Sequence, residues 1–309
     1  MALVFFGTPD FAVPSLRALV ESGEEVLAAV CQPDKPKGRG HQLSEPPVKV
    51  YARKHDIRVL QPKSVRTEEF VKEIALLAPE AIVVVAYGRI LPPAILSVPR
   101  IGCVNVHASL LPRYRGAAPI QWAVIQGETK TGVTTMLMDE GLDTGDVLLV
   151  EETSINGDDT AQTLAARLSE MGAGLLVRTL RGLRAGTVKP VPQAGEPSYA
   201  PILRKEDGQI DWTRKASEIA NLVRGTHPWP GAFCFFSGER LTVLRAYPEE
   251  AGVFARAGTI VQITNDEVRV AAGFGTLVLT EVKPDGKKAM SAAAFFRGKR
   301  AAEGALFDV

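Results

Sequence analysis

Over roughly the first 190 residues, short apolar runs alternate with stretches of helical period, and this alternation most constrains the fold. The runs "ALVFF", "EEVLAAVC", "EAIVVVAYG" and "GCVNVH" are apolar through most of their length, as strands covered on both faces are. Between them, "PDFAVPSLRALVESG" and "TEEFVKEIALLAP" space their apolar residues for one helix face. Thr8 and Thr67 stand where caps would, with Pro9 at a first helical position and Gly23 beyond an end. Further on, "PIQWAVIQG" reads as a helix, "GVTTMLM" and "DVLLVEETSI" as strands, and "DDTAQTLAARLSEMGAGLLVRTLRGL" as one long helix. Strand–helix alternation of this kind predicts a doubly wound α/β domain around a mostly parallel sheet.

The texture changes after Gly186. "TVKPVPQAGEPSYAPILRKEDGQIDW" is rich in proline and poor in helix signals, which suits a connection between domains. A short helix, "RKASEIANLVRG", precedes five closely spaced runs: "AFCFF", "RLTVLRAYP", "AGTIVQIT", "EVRVAAG" and "TLVLTEV". Short strands at such spacing predict a small OB-like β-barrel. The expected organisation is an α/β domain over residues 1–188, a linker over 189–206 and the barrel over 207–309.

A formal net charge of +1 gives no global case for a nucleic-acid partner, so any such contact must come from local basic clusters. The three cysteines, Cys31, Cys103 and Cys234, form neither a metal-ligand spacing nor a disulfide framework. The start "MALVFFGTPD" has no basic segment before its apolar run, and no run reaches membrane-spanning length. A soluble cytoplasmic protein, without a membrane or metal role, is expected.

In open α/β sheets, ligands bind outside the carboxyl ends of the strands. Asn105 and His107 close the run "GCVNVH" at that edge, and residues two apart in a strand face the same way. A lone histidine there reads as a core residue bonded to a carbonyl. An amide and an imidazole sharing one face read as a site. The glycine-rich stretch "MDEGLDTGD" follows another strand and offers Asp139, Glu140, Asp143 and Asp146 to the same edge. An amide, an imidazole and a carboxylate can stabilise an oxyanion and move protons while one bound substrate attacks another. Ser109 lies near His107 but sits in no G-x-S-x-G elbow, so a serine hydrolase is disfavoured. The start "FFGTPDF" lacks the G-x-G-x-x-G of a dinucleotide site.

Two basic clusters remain. The loop "CQPDKPKGRGHQLSEPP" sets Lys35, Lys37 and Arg39 between Asp34 and Glu45. It reads as either a solvated loop or an arm that grips phosphate. Near the end of the chain, Lys283, Lys287, Lys288, Arg297, Lys299 and Arg300 accompany one acid, Asp285. In a barrel of the predicted type, such a cluster suits oligonucleotide binding.

"NVHASLLPRYRGAAPIQ" together with "MDEGLDTGD" resembles the signature of the 10-formyltetrahydrofolate-dependent formyltransferases. "FFGTPDFAVPSL", "QPDKPKGRG", "VVVAYGRILP", "IDW", "HPWPGAF" and "GKKAMSA" extend the likeness along nearly the whole chain. The resemblance implies a Rossmann-like catalytic domain with a C-terminal barrel, and catalytic roles for Asn105, His107 and Asp143. It implies that Ser109, Leu110, Leu111, Pro112, Tyr87, Gly88, Ile90, Leu91, Asp139 and Gly141 contact 10-formyltetrahydrofolate, which serves as formyl donor. It further implies initiator methionyl-tRNA as the amine, probed by Lys35, Lys37 and Arg39. A single active site built from one chain makes a monomer the expected working unit. Ala108 and Tyr114 depart from the commoner glycine and tryptophan of that pattern, outside the catalytic positions. The central motif leaves open a small amine acceptor, such as an amino sugar nucleotide or glycinamide ribonucleotide, or a non-catalytic RNA binder on the same scaffold.

Overall fold

Seven strands form the predicted sheet: β1 (Ala2–Gly7), β2 (Glu25–Val30), β3 (Val59–Leu60), β4 (Ala81–Val85), β5 (Gly102–His107), β6 (Lys130–Leu137) and β7 (Val147–Ser154). The computed structural model describes residues 1–37, 42–250 and 254–308. The strand order is β7-β6-β5-β4-β1-β2-β3. The five strands β1 to β5 run parallel, and β6 and β7 add an antiparallel edge. Residues 138–146 join β6 to β7 and are too few for a crossover helix. The pair is therefore a hairpin.

Helices cover the sheet as the apolar spacing predicts, among them Val13–Glu21, Glu68–Leu76 and the long Ala161–Ala185. On one face, Val4, Phe6, Val30, Phe70, Ile74, Ile82 and Val84 form a buried cluster. Thr67 caps its helix by accepting from the Phe70 N–H at 3.4 Å. Thr8 does not act as a cap. Its hydroxyl donates to the Tyr87 carbonyl at 3.3 Å and accepts from the Gln32 N–H at 3.3 Å. The following turn, Asp10–Ala12, is 3-10, and no side chain caps it.

The chain divides into two units. Met1–Pro119, Lys130–Ser154 and Ala165–Pro201 make the first, and Ile120–Thr129, Ile155–Leu164 and Ile202–Val309 the second. The second unit contains an antiparallel sheet of β8 (Ala232–Phe236), β9 (Glu239–Glu249), β10 (Ile260–Ile263), β11 (Val268–Ala271), β12 (Thr276–Pro284) and the short β13 (Met290–Ser291). Its order is β8-β9-β12-β11-β10, with β13 on β12. The tail completes it. Asp308 bridges to Phe235 on β8 and Leu306 bridges to Thr259 beside β10, so the tail occupies both edges. Paired edges offer no template for another strand. Inside lie Phe236, Phe296 and Phe307, packed edge to face with centroids 5.0–5.6 Å apart.

Candidate active site

Asn105 and His107 stand at the carboxyl end of β5, in register with Met136 and Thr134 of β6. They share one face, while the fully buried Val104 belongs to the other. Both are nearly buried, with 9% and 6% of their surface exposed. Among the described residues, the Asn105 amide has no hydrogen-bond partner. The His107 ring is held on two sides. Its Nε2 lies 2.9 Å from the Tyr114 carbonyl oxygen, and its Nδ1 lies 3.6 Å from Asp143 Oδ2. A carbonyl only accepts, so Nε2 carries a proton and Nδ1 is the nitrogen left for chemistry.

The loop after β5 is a tight turn pinned from β6. Thr134 Oγ1 donates to the Ser109 carbonyl at 2.7 Å and accepts from the Leu111 N–H at 3.2 Å. Ser109 is fully buried, and its hydroxyl donates to the Arg113 carbonyl at 2.6 Å. That hydroxyl is spent on the turn and is no nucleophile. Leu110, Leu111 and Pro112 are left half-exposed as an apolar wall beside the polar pair.

Of the four acids in the β6–β7 loop, Asp143 alone reaches the imidazole. Its Oδ2 also accepts from the Gly116 N–H at 2.8 Å. Asp139 shapes the loop instead, accepting from the Gly141 N–H at 3.0 Å and from Thr144 Oγ1 at 2.6 Å. Gly145 is required there, because a Cβ on it would fall 1.7 Å from the Leu137 carbonyl oxygen. The loop can close over the sheet edge only with that side chain missing.

Tyr87 and Leu91 turn into the core, each 2% exposed, while Ile90 is 63% exposed. Burial pushes the Tyr87 hydroxyl up to about 12, so it stays protonated. Their stretch thus offers a ligand main chain and the Ile90 side chain. An open cleft of about 450 Å³ lies at the carboxyl ends of β1, β2 and β4. Thr8, Gln32, Lys35, Tyr87, Gly88 and Arg89 are among its lining, and Asn105, His107 and Asp143 are not.

The basic loop is a hairpin in which Lys35–Lys37 pairs with Gln42–Ser44. Lys35 is exposed, and Arg39 lies outside the described residues. Both stems are tied to the buried Lys49. Its Nζ reaches Asp34 Oδ2 at 2.6 Å and Glu45 Oε1 at 2.9 Å. Hydrogen bonds from Gln61 and Lys49 hold the Asp34 carboxyl below the ordinary carboxylate range. In the second unit, Lys287 and Lys299 both pair with Glu239, an acid distant in sequence from that basic cluster.

Sequence reasoning missed Lys49, Gln61, Gln193 and Ser198. Gln193 and Ser198 lie in the proline-rich stretch read as a linker, yet Tyr199–Ala200 pairs with Arg115–Gly116 beside the site. Among the described residues, no group of three or more His, Cys, Asp and Glu side chains is placed to hold a metal ion. No described helix is long and apolar enough to cross a membrane.

Residues 1–180 match the family model described as Formyl transferase, and residues 202–300 match that described as Formyl transferase, C-terminal domain. The methionyl-tRNA formyltransferase of Thermodesulfovibrio yellowstonii is 49% identical over 302 residues, covering 98% of this chain and 97% of that protein. The protein of the same name from Pelobacter propionicus is 52% identical over 306 residues, covering 99% and 95%. Among solved structures, HypX from Aquifex aeolicus in complex with tetrahydrofolic acid superposes with a TM-score of 0.64 at 19% identity, over 96% of this chain and 46% of that one. At that identity the likeness speaks to the fold.

Proposed function

The chain belongs to the formyl transferase family, and from that premise we propose that it moves the formyl group of 10-formyltetrahydrofolate onto the α-amine of initiator methionyl-tRNA. One observation carries this reading. About half of the residues match, over nearly the full length of both chains, relatives named for that reaction.

The site geometry supports a direct transfer. The methionyl nitrogen attacks the formyl carbon, and negative charge grows on the formyl oxygen. The Asn105 amide, unspent on the protein, donates to that oxygen. With Nε2–H committed to Tyr114, His107 can add a second donor only from Nδ1, as the imidazolium, with Asp143 as counter-charge. The tetrahedral carbon then releases N10. The attacking nitrogen must lose one proton and N10 must gain one. Asp143 takes the first through water and supplies the second, so no net proton is consumed. No covalent bond to the enzyme is formed.

Leu110, Leu111, Pro112 and the main chain around Gly88 and Gly141 are the proposed folate contacts, with Ser109 and Asp139 shaping the turns that present them. Lys35, Lys37 and Arg39 are the proposed tRNA contacts, and Lys49 fixes the stems of the hairpin that carries Lys35 and Lys37. Within this reading the protein works as a monomer in the cytoplasm, and residues 189–206 connect a catalytic to a tRNA-binding domain.

The test is incubation of the purified protein with 10-formyltetrahydrofolate and charged initiator tRNA, followed by assay of N-formylmethionine. Parallel incubations replace the tRNA by an amino sugar nucleotide or glycinamide ribonucleotide. N-formylmethionine is expected. Its absence, with a small amine formylated instead, overturns the reading.

A further inference from the structure

Of the five described residues other than glycine that adopt left-handed backbone in the first unit, two face His107 from opposite sides. Tyr114, at φ 61°, offers its carbonyl to Nε2, and Asp143, at φ 53°, offers its carboxylate to Nδ1. Such conformations are disfavoured outside glycine and persist where surrounding contacts over-determine them. Here several of those contacts come from one stretch of chain, residues 193–200. Ser198 Oγ accepts from the Tyr114 N–H at 2.9 Å, and the Ser198 carbonyl accepts from the Arg115 N–H at 2.8 Å. Gln193 Nε2 donates to the carbonyls of Asp143 and Gly145, both at 2.8 Å. Gln193 Oε1 accepts from Arg115 Nε at 3.2 Å and from Nη2 at 2.6 Å.

The Gln193 amide is saturated, with both N–H groups and both lone pairs in use. Two carbonyls on one end and a guanidinium on the other permit only one orientation of the amide. Gln193 and Ser198 are half-buried within a stretch that is otherwise exposed from Val191 to Tyr199. Their inward direction is therefore not part of a general core. It serves the two loops alone.

We propose that Gln193 and Ser198 are positioning residues, a strap that holds the Tyr114 carbonyl and the Asp143 carboxylate at the two nitrogens of His107 and so sets the orientation of the ring. This rests on the reading of His107 and Asp143 as the proton-handling pair. A misplacement of the reacting groups by an ångström costs far more in rate than in binding. Gln193→Ala is therefore expected to lower kcat at least about tenfold, with KM for both substrates and the melting temperature nearly unchanged. The limb of the kcat–pH profile set by the pair moves with it. Gln193→Glu keeps the acceptors for Arg115 but turns a carboxylate on the Asp143 and Gly145 carbonyls, so it is expected to be no better than alanine. Ser198→Ala is expected to act in the same direction, and Ser198→Thr, which keeps the hydroxyl, to restore turnover.

A readout free of the acceptor separates this inference from the choice of substrate. The chain has four histidines, and His107 is assigned in NMR spectra by comparison with His107→Asn. Its titration midpoint is expected to differ between wild type and Gln193→Ala, whichever amine the enzyme formylates. An unchanged midpoint, wild-type kcat in Gln193→Ala, or a loss tracking the melting temperature alone overturns the proposal.

Discussion

The Nε2 atom of His107 lies 2.9 Å from the carbonyl oxygen of Tyr114, seven residues further along the chain. A carbonyl has no proton to give, so this contact selects the tautomer. The neutral ring carries its proton on Nε2 and points a lone pair from Nδ1 toward Asp143. Long-range proton–nitrogen NMR at alkaline pH is expected to show a protonated Nε2 and a bare Nδ1 for His107. The reverse pattern would overturn the requirement for an imidazolium, since a neutral Nδ1–H could then donate.

Asn105 has an amide that the protein leaves unspent. Its replacement by alanine is expected to lower kcat by about a hundred- to a thousandfold, the usual loss of one oxyanion donor. Folate binding, followed by fluorescence, is expected to change little.

Asp143→Asn keeps an acceptor for the Gly116 N–H and removes the counter-charge. Turnover is expected to fall by about two orders of magnitude or more. The melting temperature, measured by calorimetry, is expected to move by only a few degrees.

Lys49 ties both stems of the basic hairpin, so Lys49→Met is expected to raise KM for tRNA and speed trypsin cleavage after Lys37, the first lysine of the loop not followed by proline. Folate binding is expected to stay as it was. Asp34 and Glu45 have depressed carboxyls, chiefly through Gln61 for the first and Lys49 for the second. A depressed carboxyl stabilises the fold above its unfolded value, and that contribution is lost as pH falls through the folded one. The tie is therefore expected to hold at neutral pH and to fail below the ordinary carboxylate range, about pH 4. Arg39→Ala is expected to weaken tRNA binding and flatten its salt dependence.

Burial pushes the Cys31 thiol up to about 11 and the Cys103 thiol up to about 12. Both stay protonated in the fold where the unfolded chain has begun to ionise. Such groups stabilise fully below the unfolded value, and the stability is lost as pH rises toward the folded one. Urea midpoints are expected to fall from about pH 9 upward, and less steeply in Cys31→Ala.

Much of the fold was legible because burial leaves a period in the chain. The strands β1, β2, β4 and β5 were apolar runs, and Thr67 capped the helix it preceded. Thr8 was misread as a cap because its true partners, Tyr87 and Gln32, are remote in sequence and only the sheet brings them to it. The closure of the second sheet by Leu306 and Asp308 left no mark in the chain either, since a bridge by single residues has no pattern.

The same division runs through the site. The pairing of Asn105 with His107 is local. Two residues apart in a strand share a face whatever surrounds them, and the sequence alone determined that both would stand at the sheet edge. Which of four acids meets the imidazole depended on a hairpin whose close turn places Asp143 there and sends Asp139 into the turn itself. The strap of Gln193 and Ser198 depended on pairing 84 residues apart, between Tyr199 and Arg115. Side-chain period records which face a residue occupies, but not which distant segment will supply its hydrogen-bond partner. That part only the tertiary structure decided.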